Sequence, residues 1–178
     1  MKHLCVFCGS RLGNSPAFAQ AAAAIGRGLA KRGWGLVYGG GHIGMMGVLA
    51  DAALAAGGAV VGVIPRGLVE RELAHAQVTD LRIVGTMHER KALMADLTSA
   101  FLALPGAYGT LDELFEILTW AQLKLHNKSI GLLNCAGFFD PLLQWIEGAL
   151  AADFLKEKYR DLLLVETEAD AMLDRLLA

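Results

Sequence analysis

The sequence contains little of what several protein classes require. It has 3 cysteines among 178 residues, and so small and odd a number does not build a disulfide framework, which predicts a reducing, cytoplasmic environment. It lacks an apolar run of the roughly 18 residues that a membrane span needs, and its start, MKHLCVFCGS, is too short and strand-like for a signal peptide. Its net charge of −2 does not favour binding to a polyanion. We therefore expect neither a membrane nor a nucleic-acid partner.

Metal and redox motifs are equally sparse. The 5 histidines occur without an HExxH motif or a His/Cys cluster, so no bound metal is expected. Cys5 and Cys8 form a CxxC, but they lie in an apparent strand, where residues three apart point to opposite faces. Because a redox pair normally lies at the start of a helix, two buried thiols are the favoured interpretation.

What the sequence does contain is a regular alternation of apolar runs and helical patterns. Helix signals include Ser15-Pro16, a cap followed by a first-turn proline, and the closing pair Gly57-Gly58. The apolar runs are near-continuous, as burial on both faces of a strand requires, and this predicts a parallel sheet covered by helices on either side. Strands are predicted over 3–8, 34–39, 59–65, 99–104 and 128–134, with a short last one over 161–166.

The whole chain, residues 1–178, is predicted to form one α/β domain of the doubly wound, Rossmann-like class, because no linker, repeat or low-complexity stretch interrupts it. Hydrophobic residues make up 54% and charged residues only 19%, which indicates that some apolar surface is buried against a partner subunit. In such sheets ligands bind at the carboxyl ends of the strands. Three segments fall there: CGSRLGNS (8–15, with Ser10), YGGGHIGMMG (38–47) and LPGAYGTLDE (104–113).

The glycine-rich segment matches GxGxxG at positions 39–44, but a dinucleotide site is disfavoured. The loop follows the second predicted strand, and the acidic residue expected about 20 positions later is replaced by Ile64-Pro65-Arg66. Two interpretations stay open. Backbone amides at the helix start could hold a phosphate, or the glycines could serve only tight turning and close packing. The candidate binding residues are Gly40, Gly41 and Gly44.

The segment LPGAYGTLDE also supports two interpretations. Thr110 and Glu113 fit the T-x-x-E capping box, in which both side chains satisfy backbone amides at a helix start. A capping box does not need Pro-Gly-Ala-Tyr-Gly before it, however, and small residues there would leave bare amides for a phosphate or sugar. Asp112 and Glu113 point about 100° apart on a helix, so only one of them can face a reacting atom.

A basic counterpart lies upstream in residues 85–94, where Thr86 can cap a helix. Arg90 shares the apolar stripe of that helix with Leu93, Met94 and Leu97. It is therefore a surface cation that extends past the core, paired with Lys91 in sequence, or a cation aimed into a cleft.

Taken together, YGGGHIGMMG, MHERKALM (87–94), PGAYGTLDE (105–113) and LTWAQLKLHNK (118–128) resemble the Lonely Guy (LOG) family of cytokinin riboside 5′-monophosphate phosphoribohydrolases. The resemblance implies hydrolysis of the N-glycosidic bond of N6-substituted AMP, and of AMP itself as a further candidate, releasing free base and ribose 5-phosphate. It also implies homodimers whose sites are completed by the neighbouring subunit. Its catalytic residues fall on Glu113 and Arg90, and its substrate-binding residues on Glu72, Lys91, Gly106, Ala107, Tyr108, Gly109, Thr110, Leu111, Asp112 and Thr119.

In the mechanism that the resemblance implies, the Glu113 carboxylate stabilises an oxocarbenium-like ribosyl group and directs a water to it. Arg90 would bind the phosphate, a ribose hydroxyl or Glu113, and the sequence does not decide among these. Ala107 replaces a family glycine, which matters if that position needs a positive φ. The chemistry requires no metal, and no lysine context suggests pyridoxal phosphate, so no cofactor is expected.

A different class of function remains as the alternative. The same fold could serve a non-catalytic nucleotide carrier or a molybdenum-cofactor carrier, since a fold alone does not determine function. An NAD(P)-dependent oxidoreductase is disfavoured by the missing acidic residue after the third predicted strand.

Overall fold

A seven-stranded parallel sheet organises the computed structural model, which describes residues 1–69 and 73–178. The strand order is β4-β3-β2-β1-β5-β6-β7, so the chain moves outward from β1 in one direction and then, from β5, in the other. This order confirms the predicted doubly wound architecture. The strands are β1 His3–Phe7, β2 Gly35–Tyr38, β3 Val60–Pro65, β4 Asp80–Val84, β5 Ala100–Ala103, β6 Ser129–Leu133 and β7 Leu163–Glu166.

Helices cover both faces of the sheet. They are α1 Pro16–Lys31, α2 Gly44–Ala55, α3 Met87–Asp96, α4 Tyr108–Gln122, α5 Asp140–Ala151 and α6 Ala169–Leu177. Helices α1, α2 and α6 pack on one face, and α3, α4 and α5 pack on the other. Within the described residues, none of the helices combines the length and apolar character that crossing a bilayer demands.

The core is divided between the two faces by the pleat of the strands. In β1, Leu4 and Val6 belong to the apolar cluster beneath α1 and α2, whereas Cys5 and Phe7 belong to the cluster beneath α3 and α4. Cys5 and Cys8 are buried, unbridged and in opposite clusters, which confirms two buried thiols in place of a redox pair.

Strand β4, Asp80–Val84, was not among the predicted strands. It lies at one edge of the sheet, and its residues alternate with charges, so Arg82 and Ile83 are exposed. An edge strand pairs on one side only and is not enclosed on both faces. The continuous apolar run that identified the central strands is therefore absent from it.

Two helix starts behave as predicted, and one does not. Ser15 caps α1 by accepting a hydrogen bond from the amide of Ala17 at 3.3 Å. Thr86 caps α3 by accepting from the amide of Glu89 at 3.1 Å, and the Glu89 carboxylate accepts in return from the amide of Gly85 at 2.8 Å. The reciprocal capping box of this protein is thus Thr86–Glu89.

The predicted capping box of Thr110 and Glu113 is wrong. Helix α4 begins at Tyr108, and its N-cap residue, Ala107, makes no side-chain capping hydrogen bond. Thr110 already lies inside the first turn, because the small residues before it allow the helix to start earlier. A capping box therefore does not explain Glu113, because Thr110 is not the cap of this helix.

Candidate active site

A cavity of about 410 Å³ opens at the carboxyl end of β1. Its walls come from the loop after β1, the turn after β5, the start of α4, the first residues of α2 and α3, and the loop after β6. It therefore occupies the sheet edge where the strand order reverses, the usual ligand position in doubly wound folds.

Glu113 lines this cavity from the second turn of α4. Its side chain is partly buried, and its negative charge acts on the thiol of Cys8. Burial raises the pKa of the Cys8 thiol, and the Glu113 carboxylate raises the pKa further. Because Cys8 also lines the cavity, the carboxylate and the protonated thiol share one enclosed space.

Arg90 lines the same cavity from α3 and is only 5% exposed. Its Nε donates to the carbonyl of Val63 at 3.0 Å, and its Nη2 donates to the carbonyl of Gly39 at 2.7 Å. Gly39 must lack a side chain, since a Cβ there would overlap the guanidinium. The cation is thus aimed into the cleft and held rigidly at the ends of β2 and β3.

Lys91, the neighbour of Arg90, has a different position. It does not line the cavity, and its Nζ lies 3.1 Å from the carboxylates of both Asp112 and Glu116 on α4. Burial lowers the pKa of Lys91, but the hydrogen bonds to these two carboxylates raise it above the ordinary value. Lys91 therefore ties α3 to α4, and Asp112, which lines the cavity, has its charge compensated by Lys91.

The turn before α4 brings bare backbone to the cavity. Gly106 packs so closely on Thr110 that a Cβ there would overlap the threonine side chain. The amide of Gly9 donates to the carbonyl of Pro105 at 3.1 Å, which joins the loops after β1 and β5. Ala107 has a φ of −112°, outside the left-handed region, so its methyl group causes no backbone strain.

The glycine loop after β2 serves mainly to turn the chain. Gly40 and Gly44 have positive φ angles of 77° and 64°, and a Cβ at Gly44 would overlap the backbone of Ser10. The amide of His42 donates to Leu73, and the amide of His75 donates to Gly40, both at 2.9 Å. These contacts favour turning and close packing over direct phosphate binding.

The structure brings together about half of the predicted site residues. Those that line the cavity are Ser10, Arg90, Gly106, Ala107, Gly109, Thr110, Asp112 and Glu113. Those outside its lining are Gly40, Gly41, Gly44, Lys91, Tyr108, Leu111 and Thr119. Thr119 instead lines a separate apolar groove between α4 and α5. Glu72 lies outside the described residues.

Several lining residues were not predicted. Arg11 is exposed in the loop after β1, beside Ser10, and others are apolar, among them Phe18, Met45, Met46, Met87 and Phe138. Two signals could have identified Arg11 and Phe138. Arg11 belongs to a segment already placed at the binding edge, and Phe138 follows β6, whose carboxyl end lies at the same edge.

One side-chain cluster in the described residues has atoms close enough to hold a metal, His42, Asp51 and His75, with their ligand atoms within 4.8 Å of one another. The amide of Gln77 donates to Nδ1 of His75 at 3.2 Å, and Nε2 of His75 lies 2.9 Å from the Asp51 carboxylate. Both ring nitrogens of His75 therefore have hydrogen-bond partners within the protein. The cluster is a hydrogen-bonded contact between α2 and the segment before β4.

The fold defines a Rossmann-like α/β protein, and its cavity lies at the switch point of the sheet. A family model described as "Possible lysine decarboxylase" matches residues 46–176. The chain is 46% identical over 173 residues to a probable cytokinin riboside 5′-monophosphate phosphoribohydrolase of Oryza sativa subsp. japonica, covering 97% of this chain and 78% of the relative. It is 43% identical over 175 residues to the Arabidopsis thaliana phosphoribohydrolase LOG1, covering 98% and 82%. The chain belongs to the LOG family.

Solved structures with the same fold are more distant in sequence. The molybdenum cofactor binding protein of Rippkaea orientalis superposes with a TM-score of 0.74 at 18% identity, covering 99% of this chain and 96% of that one. The molybdenum cofactor carrier protein of Chlamydomonas reinhardtii gives 0.74 at 22% identity, covering 99% and 98%. At these identities the likeness shows the fold alone, and it does not favour the carrier alternative.

Proposed function

We propose that this protein hydrolyses the N-glycosidic bond of N6-substituted AMP, and of AMP itself, to free base and ribose 5-phosphate. The observation that carries the proposal is the presence of Glu113 and Arg90 in one cavity with the uncapped start of α4. Phosphoribohydrolase relatives that are 43–46% identical over nearly the whole chain support the same activity.

The 5′-phosphate is placed at the start of α4. The first amides of a helix have no intrahelical partners and carry partial positive charge, so they attract an anion. Gly106 and Gly109 leave these amides accessible, and the side chains of Thr110, Ser10 and Arg11 line the same cavity. A bound anion would supply the hydrogen-bond acceptors that the side chain of the N-cap residue, Ala107, does not provide.

Glu113 acts at the anomeric carbon. As the bond from C1′ to the purine nitrogen breaks, its electron pair goes to the base and positive charge develops on the ribose. The Glu113 carboxylate stabilises that charge and accepts a proton from the water that attacks C1′. The departing base takes up a proton from solvent and Glu113 returns its proton to solvent, so one water is consumed and the products are neutral base and ribose 5-phosphate.

Arg90 is a fixed cation, not a flexible clamp. Its contacts with Val63 and Gly39 determine where the guanidinium lies before substrate binds. A preorganised positive charge at this point attracts the substrate phosphate and needs no reorganisation during the reaction.

A hydrolysis panel tests this function. We expect N6-isopentenyl-AMP and AMP to release base and ribose 5-phosphate, detected by chromatography. The corresponding nucleosides should react at least about 10²-fold more slowly, because they lack the phosphate contacts. Tight binding of the nucleotides without any release of base would instead support the carrier alternative.

We also propose that the active form is a homodimer joined through the α4–α5 groove, the apolar groove lined by Phe115, Thr119, Trp145 and Phe154. Helix α5 has no buried residue in the described chain, and Trp145 and Phe154 are 60% and 89% exposed. A second copy suits this face because its rim carries both signs of charge, Arg160 paired with Glu147 and Glu157, as a two-fold contact requires. Helix α4 lines both the cavity and the groove, so a contact at the groove would connect the active-site cavities of the two subunits.

The dimer proposal predicts that Trp145→Glu produces monomers in sedimentation-velocity measurements at micromolar concentration, because a charge would be buried at the centre of the contact. Ile83→Glu is the matched control, since Ile83 is an exposed apolar residue at the opposite edge of the sheet. A Trp145→Glu chain that stays dimeric would refute the proposed contact. A monomer with unchanged activity would refute the shared site.

A further inference from the structure

The loop after β6 holds an aromatic ring in the cavity by means of a strained turn. Ala136 has a φ of 54° and Gly137 a φ of 69°, so two consecutive residues adopt the left-handed conformation and the first is not glycine. Such a conformation costs free energy in an L-residue and persists only where surrounding contacts enforce it.

Those surrounding contacts are present. The buried side chain of Asn134 accepts from the amide of Phe139 at 2.8 Å and donates to the Asp140 carboxylate at 2.7 Å. The backbone amide of Asn134 donates to the backbone carbonyl of Glu166 at 2.8 Å, which attaches the turn to the end of β7. Asn134 therefore holds the turn on its carboxyl-terminal side, through Phe139 and Asp140, and also attaches it to β7.

The ring presented by this turn is Phe138, which lines the cavity and is 40% exposed. Phe18 of α1, which also lines the cavity, packs against it edge-to-face, with ring centroids 5.5 Å apart and an interplanar angle of 75°. The next residue, Phe139, is buried in the core. We call Phe18 and Phe138 the aromatic wall.

An apolar ring kept in a solvent-accessible cavity forgoes part of the free-energy gain of burial. The strained turn and the exposed ring together therefore point to a ligand that covers the ring. The ring face carries partial negative charge, which disfavours a phosphate there and favours an aromatic partner. The charged and polar groups of the cavity, Glu113, Arg90 and the start of α4, come from other elements.

We propose that Phe138, supported by Phe18, stacks on the purine base of the nucleotide and thereby determines affinity for the base without taking part in the chemistry. This inference rests on the proposed function, because it places a nucleotide in the same cavity. In this arrangement the polar side of the cavity binds the ribose 5-phosphate part of the nucleotide, and the aromatic wall binds its base.

The test compares two ligands that differ by the base. In a Glu113→Gln background, which removes the carboxylate charge, calorimetry measures binding of AMP and of ribose 5-phosphate. We expect Phe138→Ala to raise the Kd of AMP about 10–100-fold, the range of base–aromatic stacking, and to leave that of ribose 5-phosphate within about twofold. Phe138→Trp should retain AMP binding. Trp34→Ala, a half-buried ring at the amino edge of the sheet, should change neither.

Three results would overturn the proposal: unchanged AMP binding in Phe138→Ala, equal weakening of both ligands, or no AMP binding by the Glu113→Gln parent. With Glu113 intact, Phe138→Ala should raise KM and leave kcat within about threefold, since stacking is equal in ground and transition states. If the unaltered chain releases no base and Phe138→Ala still weakens AMP selectively, the proposed function fails and the aromatic wall stands.

Discussion

Replacing Glu113 with glutamine is expected to lower kcat/KM for N6-isopentenyl-AMP by about 10³-fold or more, because it removes both a general base and a charge that stabilises the oxocarbenium-like state. The melting temperature should stay within about 2 °C, since the amide has the shape of the acid and Glu113 is not part of a helix cap. Steady-state kinetics and calorimetric melting measure the two effects on the same preparation.

Glu116→Gln provides the matched control for this substitution. Glu116 lies on the same helix and pairs with Lys91 at 3.1 Å, but it does not line the cavity. The Glu116→Gln substitution should change kcat/KM by less than about threefold. Retention of a tenth or more of the activity in Glu113→Gln, or an equal loss in Glu116→Gln, would remove Glu113 from the chemistry.

Substitution of Arg90 should have the next largest effect, and it should affect both activity and stability. Arg90→Lys keeps the charge, but one ammonium group cannot reproduce the two fixed bonds to Val63 and Gly39. We expect kcat/KM to fall about 10²-fold or more. A buried carbonyl left unpaired costs about 1–3 kcal/mol, so the melting temperature should fall by about 3–10 °C.

A rescue experiment separates the two roles of Arg90. Arg90→Ala leaves a space of guanidinium shape at the cavity wall, and added guanidinium at non-denaturing, millimolar concentration should restore part of the lost rate. The same addition should do nothing for Glu113→Gln. If Arg90→Lys unfolds no more easily and is fully active, the rigid cation is unnecessary.

Central features of the fold could be predicted from sequence because burial constrains them. Strand β3 is buried along its whole length, and a segment enclosed on both faces must be apolar throughout. Strand β4 was missed for the complementary reason, since at the sheet edge Asp80 and Arg82 can point to solvent and pair with each other at 2.9 Å. The pattern of apolar residues does not identify a strand where packing does not require its residues to be apolar.

The candidate site was predicted unevenly. Short motifs indicated Glu113 and Arg90, but T-x-x-E occurs at both Thr86 and Thr110, and only the first is a capping box. The two segments differ in what precedes the threonine, because the small residues before Thr110 allow α4 to begin at Tyr108, and Gly106 packs tightly against the Thr110 side chain. Phe138 could be assigned to the binding edge because it follows β6, but its entry into the cavity could not be predicted, since it depends on a left-handed turn and on Phe18, far away in sequence.

A crystal structure of the Glu113→Gln chain with N6-isopentenyl-AMP bound tests whether position 113 reaches the ribose. We expect the phosphate at the amides that begin α4 and the substituted carboxamide at position 113 about 3–3.5 Å from C1′ or from a water aligned with it. A nucleotide bound with its ribose turned away from position 113, or with its phosphate elsewhere, would show that Glu113 does not act on the glycosidic bond.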